Sequence, residues 1–181
     1  MPRSSSRPDT AGGANHRPPV DIPALAQRFS AVFPHLDAHS GSVALTLYRL
    51  LARGEPVPWP VLANRTSRDE AELRTLVLGW PGVYEEPEGL TGFGGLSVRP
   101  ISRHAVRIGG RTLHTRCAWD TLFLPGVLGE TLQVESACIV TGTPVRLVVT
   151  PERVQALEPA GTLLSLREPE PAMLADLTQH F

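Results

Sequence analysis

The first half of the chain places its apolar positions at a helical period. One face of a first helix is formed by four such positions: Ile22, Leu25, Ala26 and Phe29. Asp21 precedes this pattern and is suited to cap the helix, with Pro23 in its first turn. Dense apolar residues over 42–53, followed by Gly54, predict a buried second helix, and residues 58–64 predict a short third one.

A fourth helix and a pair of strands are predicted next. Ser67 with Glu70 three residues later forms a capping-box pattern, which predicts that a helix opens at Ser67. Val83-Tyr84 and residues 94–98 flank a polar loop over residues 85–92, an arrangement typical of a two-stranded wing. Three tandem short helices, the second to the fourth, followed by a wing indicate a winged-helix-like lobe.

The second half changes to a period of two. Residues 104–108 and 111–115 predict a hairpin, because Gly109-Gly110 between them can supply the positive φ angles of a two-residue turn. A helix is predicted over residues 120–129. Further strands are predicted over residues 131–137, 145–150 and 163–166. The sequence therefore predicts an α+β fold, with a winged-helix-like three-helix lobe packed on a small, mostly antiparallel sheet with short helices.

Composition divides the chain into three segments. Residues 1–20 are rich in Pro, Ser, Gly and Arg, so we expect a disordered leader. Residues 21–96 form the predicted helical lobe, and residues 97–181 form the predicted catalytic sheet domain. With 181 residues, of which 41% are apolar, the chain is long enough for one compact body but not for two full-sized domains.

Charge and hydropathy narrow the classes of partner. Seventeen basic and eighteen acidic residues give a net charge of −1, and the predicted wing carries Glu85, Glu86 and Glu88. Because nucleic-acid binding depends on cationic contacts to phosphate, we expect no nucleic-acid partner. No apolar run has the length of a membrane span, and the N-terminus lacks a secretory-signal pattern, so we expect a cytoplasmic protein.

The tetrapeptide Cys117-Ala-Trp-Asp120 carries the strongest chemical signal. It lies between the predicted hairpin and the predicted helix, where a thiol and a carboxyl three residues apart can face one pocket. Asp120 is suited to cap that helix. The helix N-terminus, together with Arg116 and Arg111, is expected to favour the thiolate form of Cys117.

Other interpretations of these residues stay open. Cys117 can be a buried apolar residue, and Cys138 is expected to pack inside as one. A Cys-His hydrolase would use His104 or His114 as its base. A zinc site would combine His114, Cys117 and Cys138, although the paired Cys-x-x-Cys spacing of structural zinc sites is absent.

Longer motifs add a resemblance to a known family. The chain resembles the alkylmercury (organomercurial) lyases from about residue 40 to its end. The motifs that carry this resemblance are Cys117-Ala-Trp-Asp-Thr-Leu-Phe-Leu-Pro-Gly-Val-Leu-Gly, Val134-Glu-Ser-Ala-Cys138, Thr141-Gly-Thr-Pro-Val and Val154-Gln-Ala-Leu-Glu-Pro-Ala-Gly. In the first half, Leu51-Ala-Arg-Gly-Glu-Pro-Val resembles the winged-helix lobe of that family.

The resemblance implies a function in mercury resistance and detoxification. The reaction would be protonolysis of the carbon–mercury bond of alkyl or aryl mercurials, giving a hydrocarbon and Hg(II). Cys117 would bind mercury, Asp120 would shuttle the proton and contact the metal, and Cys138 would be structural. No organic cofactor is implied. Low-molecular-weight thiols would assist product release, and mercuric reductase would accept the Hg(II).

One family feature has no match in this sequence. The resemblance implies a second active-site cysteine after the Glu-Pro-Ala-Gly turn, following a Phe, and the sequence ends at the corresponding Phe181. We therefore expect a fragment or a C-terminally truncated relative. The alternatives are a non-catalytic mercury or soft-metal binding protein, a winged-helix metal-responsive regulator, and an enzyme in which Cys138 replaces the missing thiol.

Overall fold

The computed structural model describes residues 21–32 and 36–165. The predicted leader over residues 1–20 and the segment around Phe181 lie outside this range. The helices are α1 (Ile22–Val32), α2 (Ala38–Leu51), α3 (Trp59–Thr66), α4 (Glu70–Leu78) and α5 (Asp120–Leu128). The strands are β1 (Tyr84–Glu86), β2 (Gly89–Phe93), β3 (Leu96–Ser97), β4 (His104–Ile108), β5 (Arg111–Thr115), β6 (Leu132–Ala137), β7 (Pro144–Val149) and β8 (Val154–Glu158). The predicted α+β class is confirmed.

Aspartate side chains begin three of the helices. The Asp21 carboxylate accepts a hydrogen bond from the Ala24 amide at 3.0 Å, which confirms the predicted cap of α1. Asp37 accepts from the Ser40 amide at 2.6 Å, so α2 begins at Ala38, before the predicted start at residue 42. Because each carboxylate satisfies an amide that has no partner within the helix, these residues fix where the helices start.

The capping box predicted at Ser67 is wrong. Ser67 ends α3 in a left-handed conformation, with φ of 53°. Asp69 caps α4 instead and accepts hydrogen bonds from the amides of Ala71 and Glu72 at 2.9 and 3.1 Å. A carboxylate two residues closer to the helix thus replaces the predicted hydroxyl.

The strands form one sheet in the order β1-β2-β3-β5-β4-β6-β7-β8. Every pair is antiparallel, as predicted for most of the sheet. The predicted β4–β5 hairpin is confirmed, with Ile108 paired to Arg111 across a turn in which Gly109 and Gly110 have φ of 54° and 81°. Glycine is required there because other residues rarely adopt such angles.

The predicted wing has a different construction. Residues 85–92, expected to be a loop, form most of the β1–β2 hairpin, and β2 then pairs with β3. The acids of this hairpin are neutralised by arginines: Arg99 pairs with Glu86 at 2.9 Å and with Glu88, and Arg74 pairs with Glu85 at 3.2 Å. Their polarity, which is typical of a loop, provides the partners for Arg74 and Arg99 in the fold.

Two further differences lie near the C-terminal edge of the sheet. Residues 163–165 form no strand, so the strand predicted over residues 163–166 is wrong within the described range. The edge strand β8 was not predicted, although it pairs with β7 over Arg146–Val149. Most of β8 is exposed, which removes the apolar alternation that marks a half-buried strand.

A single apolar core joins the helices to the sheet. It contains Val43, Leu47 and Leu51 of α2, Leu96 of β3, and Leu124 of α5, all at most 1% exposed. The predicted boundary between residues 96 and 97 falls inside β3, and hydrogen bonding continues across it to β5. The turn after β2 and the loop before α5 therefore meet over one core.

Candidate active site

The short loop between β5 and α5 holds Cys117. The Thr115 hydroxyl donates to the carbonyl of Cys117 at 3.1 Å, and the Arg116 amide donates to the carbonyl of Gly95 at 2.9 Å. The loop is thereby fixed to its own strand and to the β2–β3 turn. Cys117 is only partly buried, so its thiol remains accessible from one side.

Asp120 faces Cys117 across this loop. The amide of Cys117 donates to Oδ2 of Asp120 at 2.8 Å, and the thiol also interacts with the carboxyl. Asp120 is 8% exposed. The predicted helix-capping role of Asp120 is wrong: Trp119 holds the N-cap position, and the carboxyl points back to Cys117. The structure thus brings the two sequence-predicted residues into one site.

The Gly94-Gly95 turn closes the site on the side of the helical lobe. A Cβ atom at Gly95 would lie 2.5 Å from the carboxyl of Asp120, and one at Gly94 would collide with the Tyr48 hydroxyl. Tyr48 itself donates to the carbonyl of Gly94 at 2.9 Å. Both glycines have positive φ angles, so the turn and its close approach to Asp120 depend on the absence of side chains.

Cys117 is a protonated thiol at neutral pH. Burial, with the nearby charge of Asp120, raises the pKa of Cys117 to about 12. The expectation that the helix start and Arg116 favour the thiolate is therefore wrong. Desolvation of the anion and repulsion by a carboxylate at contact distance outweigh the backbone hydrogen bonds, which act in the opposite direction.

Asp120 is suited to take and return a proton. Burial raises the pKa of this carboxyl, whereas the Cys117 amide and the charge of Arg116 act to lower it. The pKa of Tyr48 is raised as well, by burial of its own hydroxyl and by the nearby charge of Asp120. The site thus places the exchangeable proton of the Cys117 thiol at hydrogen-bond distance from a buried carboxyl that can accept it.

An open cleft of about 590 Å³ lies on the accessible side of Cys117. Its lining comprises Tyr84, Ile101, Ser102, Arg103, His104, Arg116, Cys117 and Ile139. Burial and the charge of Arg103 lower the pKa of His104, whose Nδ1 lies 2.7 Å from the Ser136 hydroxyl. A cleft of this size accommodates a small organic molecule next to the thiol.

His104 and His114 lie on the paired strands β4 and β5 but face opposite sides of the sheet. His104 lines the cleft with Cys117, whereas His114 does not, and Nδ1 of His114 is buried without a partner among the described residues. Within residues 21–32 and 36–165, no three His, Cys, Asp or Glu side chains are arranged to hold a metal ion. The zinc site of His114, Cys117 and Cys138 is therefore not formed there.

Cys138 lies in the turn between β6 and β7. Its amide donates to the carbonyl of Thr143 and its carbonyl accepts from the amide of Gly142, both at 2.9 Å. The expectation that Cys138 packs inside is wrong, since the residue is only partly buried and its neighbours Ile139 and Val140 are 79% and 86% exposed. Hydrogen bonds from Thr141 lower the pKa of Cys138.

Several site residues were not identified from the sequence. Tyr48, Tyr84 and Arg103 reach the site from separate elements, and no local motif marks them. Gly94-Gly95 did carry a signal, because paired glycines between two short strands are typical of a tight turn. What this turn approaches depends on the packing of α5.

Comparison with known proteins adds the family. A family model described as alkylmercury lyase matches residues 96–179. An alkylmercury lyase of Streptomyces lividans is 39% identical over 149 residues, which cover 81% of this chain and 68% of that protein. An alkylmercury lyase of Pseudomonas putida is 38% identical over 127 residues, covering 70% of this chain and 59% of that protein.

A solved structure shows the same fold. It is the crystal structure of the mercury-bound form of MerB2, with a TM-score of 0.63 and 24% sequence identity, and the match covers 75% of this chain and 68% of that one. The chain spans about three fifths of the P. putida relative. With two thirds of the S. lividans protein covered at 39% identity, the chain belongs to the alkylmercury lyase family.

Proposed function

We propose that this chain cleaves the carbon–mercury bond of alkyl or aryl mercurials by protonolysis, giving a hydrocarbon and Hg(II). The observation that carries the proposal is the contact between Cys117 and Asp120 beside an open cleft. Family membership supports it, because the relatives from S. lividans and P. putida are named alkylmercury lyases. Mercury is the substrate's own metal and Cys117 supplies the soft sulfur ligand that it prefers.

The first step is exchange of a ligand on mercury. The Cys117 thiol enters the coordination sphere of the mercurial, a sulfur–mercury bond forms, and the thiol proton passes to the Asp120 carboxylate. The previous ligand of mercury leaves. Because the pKa of Cys117 is raised to about 12, the thiol needs a base at contact distance, and Asp120 is placed to act as that base.

The second step is proton transfer to carbon. Sulfur bound to mercury increases the electron density on the organic carbon. The proton on Asp120 moves to that carbon, the electron pair of the carbon–mercury bond forms the new carbon–hydrogen bond, and Hg(II) stays on Cys117 with the Asp120 carboxylate free to contact it. Burial of Asp120 favours its protonated form, so it can hold the proton until carbon accepts it.

The remaining family features are proposals of the same kind. The two residues suffice for this sequence of bonds, so no organic cofactor enters it. A low-molecular-weight thiol would complete removal of Hg(II) from Cys117, and mercuric reductase would receive it. A reducing cytoplasm suits two free thiols. No helix in residues 21–32 and 36–165 has both the length and the apolar character needed to span a bilayer. Cys138 is assigned a structural role in its turn.

Hydrocarbon release from phenylmercury, measured by gas chromatography with excess thiol, tests the proposal. Asp120→Asn should reduce the rate at least ~100-fold, the usual contribution of a general acid, and retain mercurial binding. Asp69→Asn is the matched control, since it changes an exposed helix cap and should leave the rate unaltered. Cys117→Ser should abolish binding at the site, and Cys138→Ser should leave turnover in place.

Each alternative predicts a different result. Mercurial binding by the wild type without any hydrocarbon would show a non-catalytic binding protein and overturn the proposed reaction. Loss of turnover in Cys138→Ser, with the fold intact by circular dichroism, would show that Cys138 supplies the second thiol. Equal rates for wild type and Asp120→Asn would remove Asp120 from the proton pathway.

A further inference from the structure

Arg116 lies in the cleft next to Cys117 and is unused by the proposed reaction. Its backbone is fixed by the hydrogen bond to Gly95, and its guanidinium lies over the ring of Tyr84, with Cζ 5.1 Å from the ring centroid. Both side chains line the cleft. The guanidinium is therefore held at a defined position by a cation–π contact, and no acid in the described part of the chain forms an ion pair with it.

The hydrogen-bonding capacity of this guanidinium is not filled. Nη1 of Arg116 is buried, and no acceptor among the described residues reaches it. The charge of Arg116 and a hydrogen bond from its backbone amide both act to lower the pKa of Asp120, but among the described residues the guanidinium itself forms no ion pair with an acid. A buried donor on a charged group without a partner is unfavourable, so a ligand acceptor at this point would be strongly bound.

The charge of the cleft favours an anion. Its lining includes two arginines, Arg103 and Arg116, and no Asp or Glu, while the carboxyl of Asp120 lies buried against Cys117. His104, the third basic side chain, has a lowered pKa because of burial and Arg103. A carboxylate entering the cleft meets a planar guanidinium that can donate two parallel hydrogen bonds, with the thiol of Cys117 one residue away.

We infer that Arg116 is a specificity-determining residue that binds a carboxylate carried by the mercurial, and that the preferred substrates are anionic aryl mercurials. The inference rests on the proposed function for the identity of the reacting atom. The ring of such a substrate lies in the cleft, its mercury reaches Cys117, and its carboxylate accepts from Arg116. Tyr84 holds the guanidinium in place.

The test compares two aryl mercurials of equal size, one with a carboxylate and one with a carboxamide on the ring. Dissociation constants are measured by calorimetry on the full chain, and hydrocarbon release is measured separately. The wild type should bind the carboxylate about tenfold more tightly, as expected for a charge-assisted hydrogen bond. Arg116→Gln should lose this preference. Arg107→Gln, an exposed arginine on β4 outside the cleft, should keep it.

The carboxylate can also arrive on the thiol that carries the mercurial. Each mercurial is therefore presented with 2-mercaptoethanol and with mercaptoacetate. A preference seen with both thiols belongs to the organic group. A preference that appears only with mercaptoacetate, in the initial rate of mercury transfer to Cys117, assigns the carboxylate to the thiol and overturns the assignment to aryl substrates.

The two failures are distinguishable. Equal binding of carboxylate and carboxamide by the wild type overturns the inference, even where hydrocarbon is released and the lyase function stands. A tenfold preference without hydrocarbon release supports the carboxylate site and overturns the proposed reaction. The wild-type comparison of the two mercurials needs no variant. If Arg116→Gln does not fold, Arg116→Lys replaces it: this variant keeps the charge and loses the planar fork, so it should show an intermediate preference for the carboxylate.

Discussion

The two thiols of the chain lie in opposite electrostatic environments. Cys117 is partly buried against the Asp120 carboxyl, which raises its pKa to about 12. Cys138 lies in an open turn, where hydrogen bonds from Thr141 and the charge of Arg103 lower its pKa. An alkylating reagent therefore favours Cys138, because the thiolate is the form that reacts, whereas Cys117 needs the neighbouring Asp120 to take its proton.

Alkylation by iodoacetamide should follow this order. At about pH 8, Cys138 should react at least ~10-fold faster than Cys117, since its thiolate fraction is larger and only part of that advantage is offset by lower nucleophilicity. The rate at Cys117 should keep rising as pH increases towards 12. Mass spectrometry of peptides at a series of pH values gives both rates.

The variants Cys138→Ser and Cys117→Ser assign the two phases. Cys138→Ser should remove the fast phase and leave the slow one. Asp120→Asn should shift the profile of Cys117 to lower pH, because it removes a negative charge that opposes ionisation. Faster modification of Cys117 than of Cys138 near neutral pH would contradict the assigned environments.

The sequence predicted that Cys117 and Asp120 lie close together, but it did not predict that the Cys117 thiol is protonated. A three-residue spacing between a strand and a helix limits how far apart the two groups can lie. The raised pKa of Cys117 comes from burial by elements distant in sequence, and spacing does not report burial. Spacing also does not show which amide a carboxylate binds. Asp120 was predicted to cap α5, whereas its carboxyl accepts a hydrogen bond from the Cys117 amide.

Among the elements, the Gly94-Gly95 turn has the closest contact with the site. We expect Gly95→Ala to destabilise the protein and to reduce turnover at least ~10-fold. A non-glycine residue at its φ of 92° costs about 1–2 kcal/mol, and the added Cβ would lie 2.5 Å from the Asp120 carboxyl, which requires a further shift costing about 1–3 kcal/mol. Urea unfolding and hydrocarbon release measure the two effects.

Gly110→Ala is the matched control. Gly110 also has a positive φ, 81°, in a hairpin turn, and a Cβ there meets no atom within 4 Å. It should show the backbone cost alone, about 1–2 kcal/mol, and full turnover in the folded fraction. Equal losses of stability and activity in the two variants would indicate that the contact with Asp120 has no role.

Local signals predicted the elements where one residue type decides the conformation. Gly109-Gly110 fixed the β4–β5 hairpin, and Asp21 fixed the start of α1. Prediction failed where two residues compete, as at Ser67 and Asp69, since either side chain can cap a helix. It also failed for the edge strand β8, where exposure on both faces leaves no alternation to detect.

At the scale of the whole molecule, one sheet connects the helical lobe to β5, the strand that precedes the Cys117 loop. The link is β3, whose Leu96 pairs with Thr115 and whose Ser97 pairs with His114. Helix α2 packs on both β3 and α5, so the core under the site includes side chains from both predicted domains. Because Asp120 is oriented by a loop between these parts, the site depends on their staying together.

A continuous core of this kind predicts one cooperative unfolding transition. In a Trp119→Phe background, the remaining tryptophans are Trp59 and Trp80, both within residues 21–96, so their fluorescence reports on the helical lobe. The exposure of Cys117, measured by pulse alkylation at each urea concentration, reports on the sheet domain. We expect the two urea midpoints to coincide, as in a two-state transition.

The variant Leu96→Ala removes a fully buried side chain at the link. It should lower the free energy of unfolding by about 2–5 kcal/mol and move both midpoints to the same lower urea concentration. Separate midpoints, with Cys117 exposed while Trp59 and Trp80 remain folded, would show two independent domains and would place the boundary near residue 96.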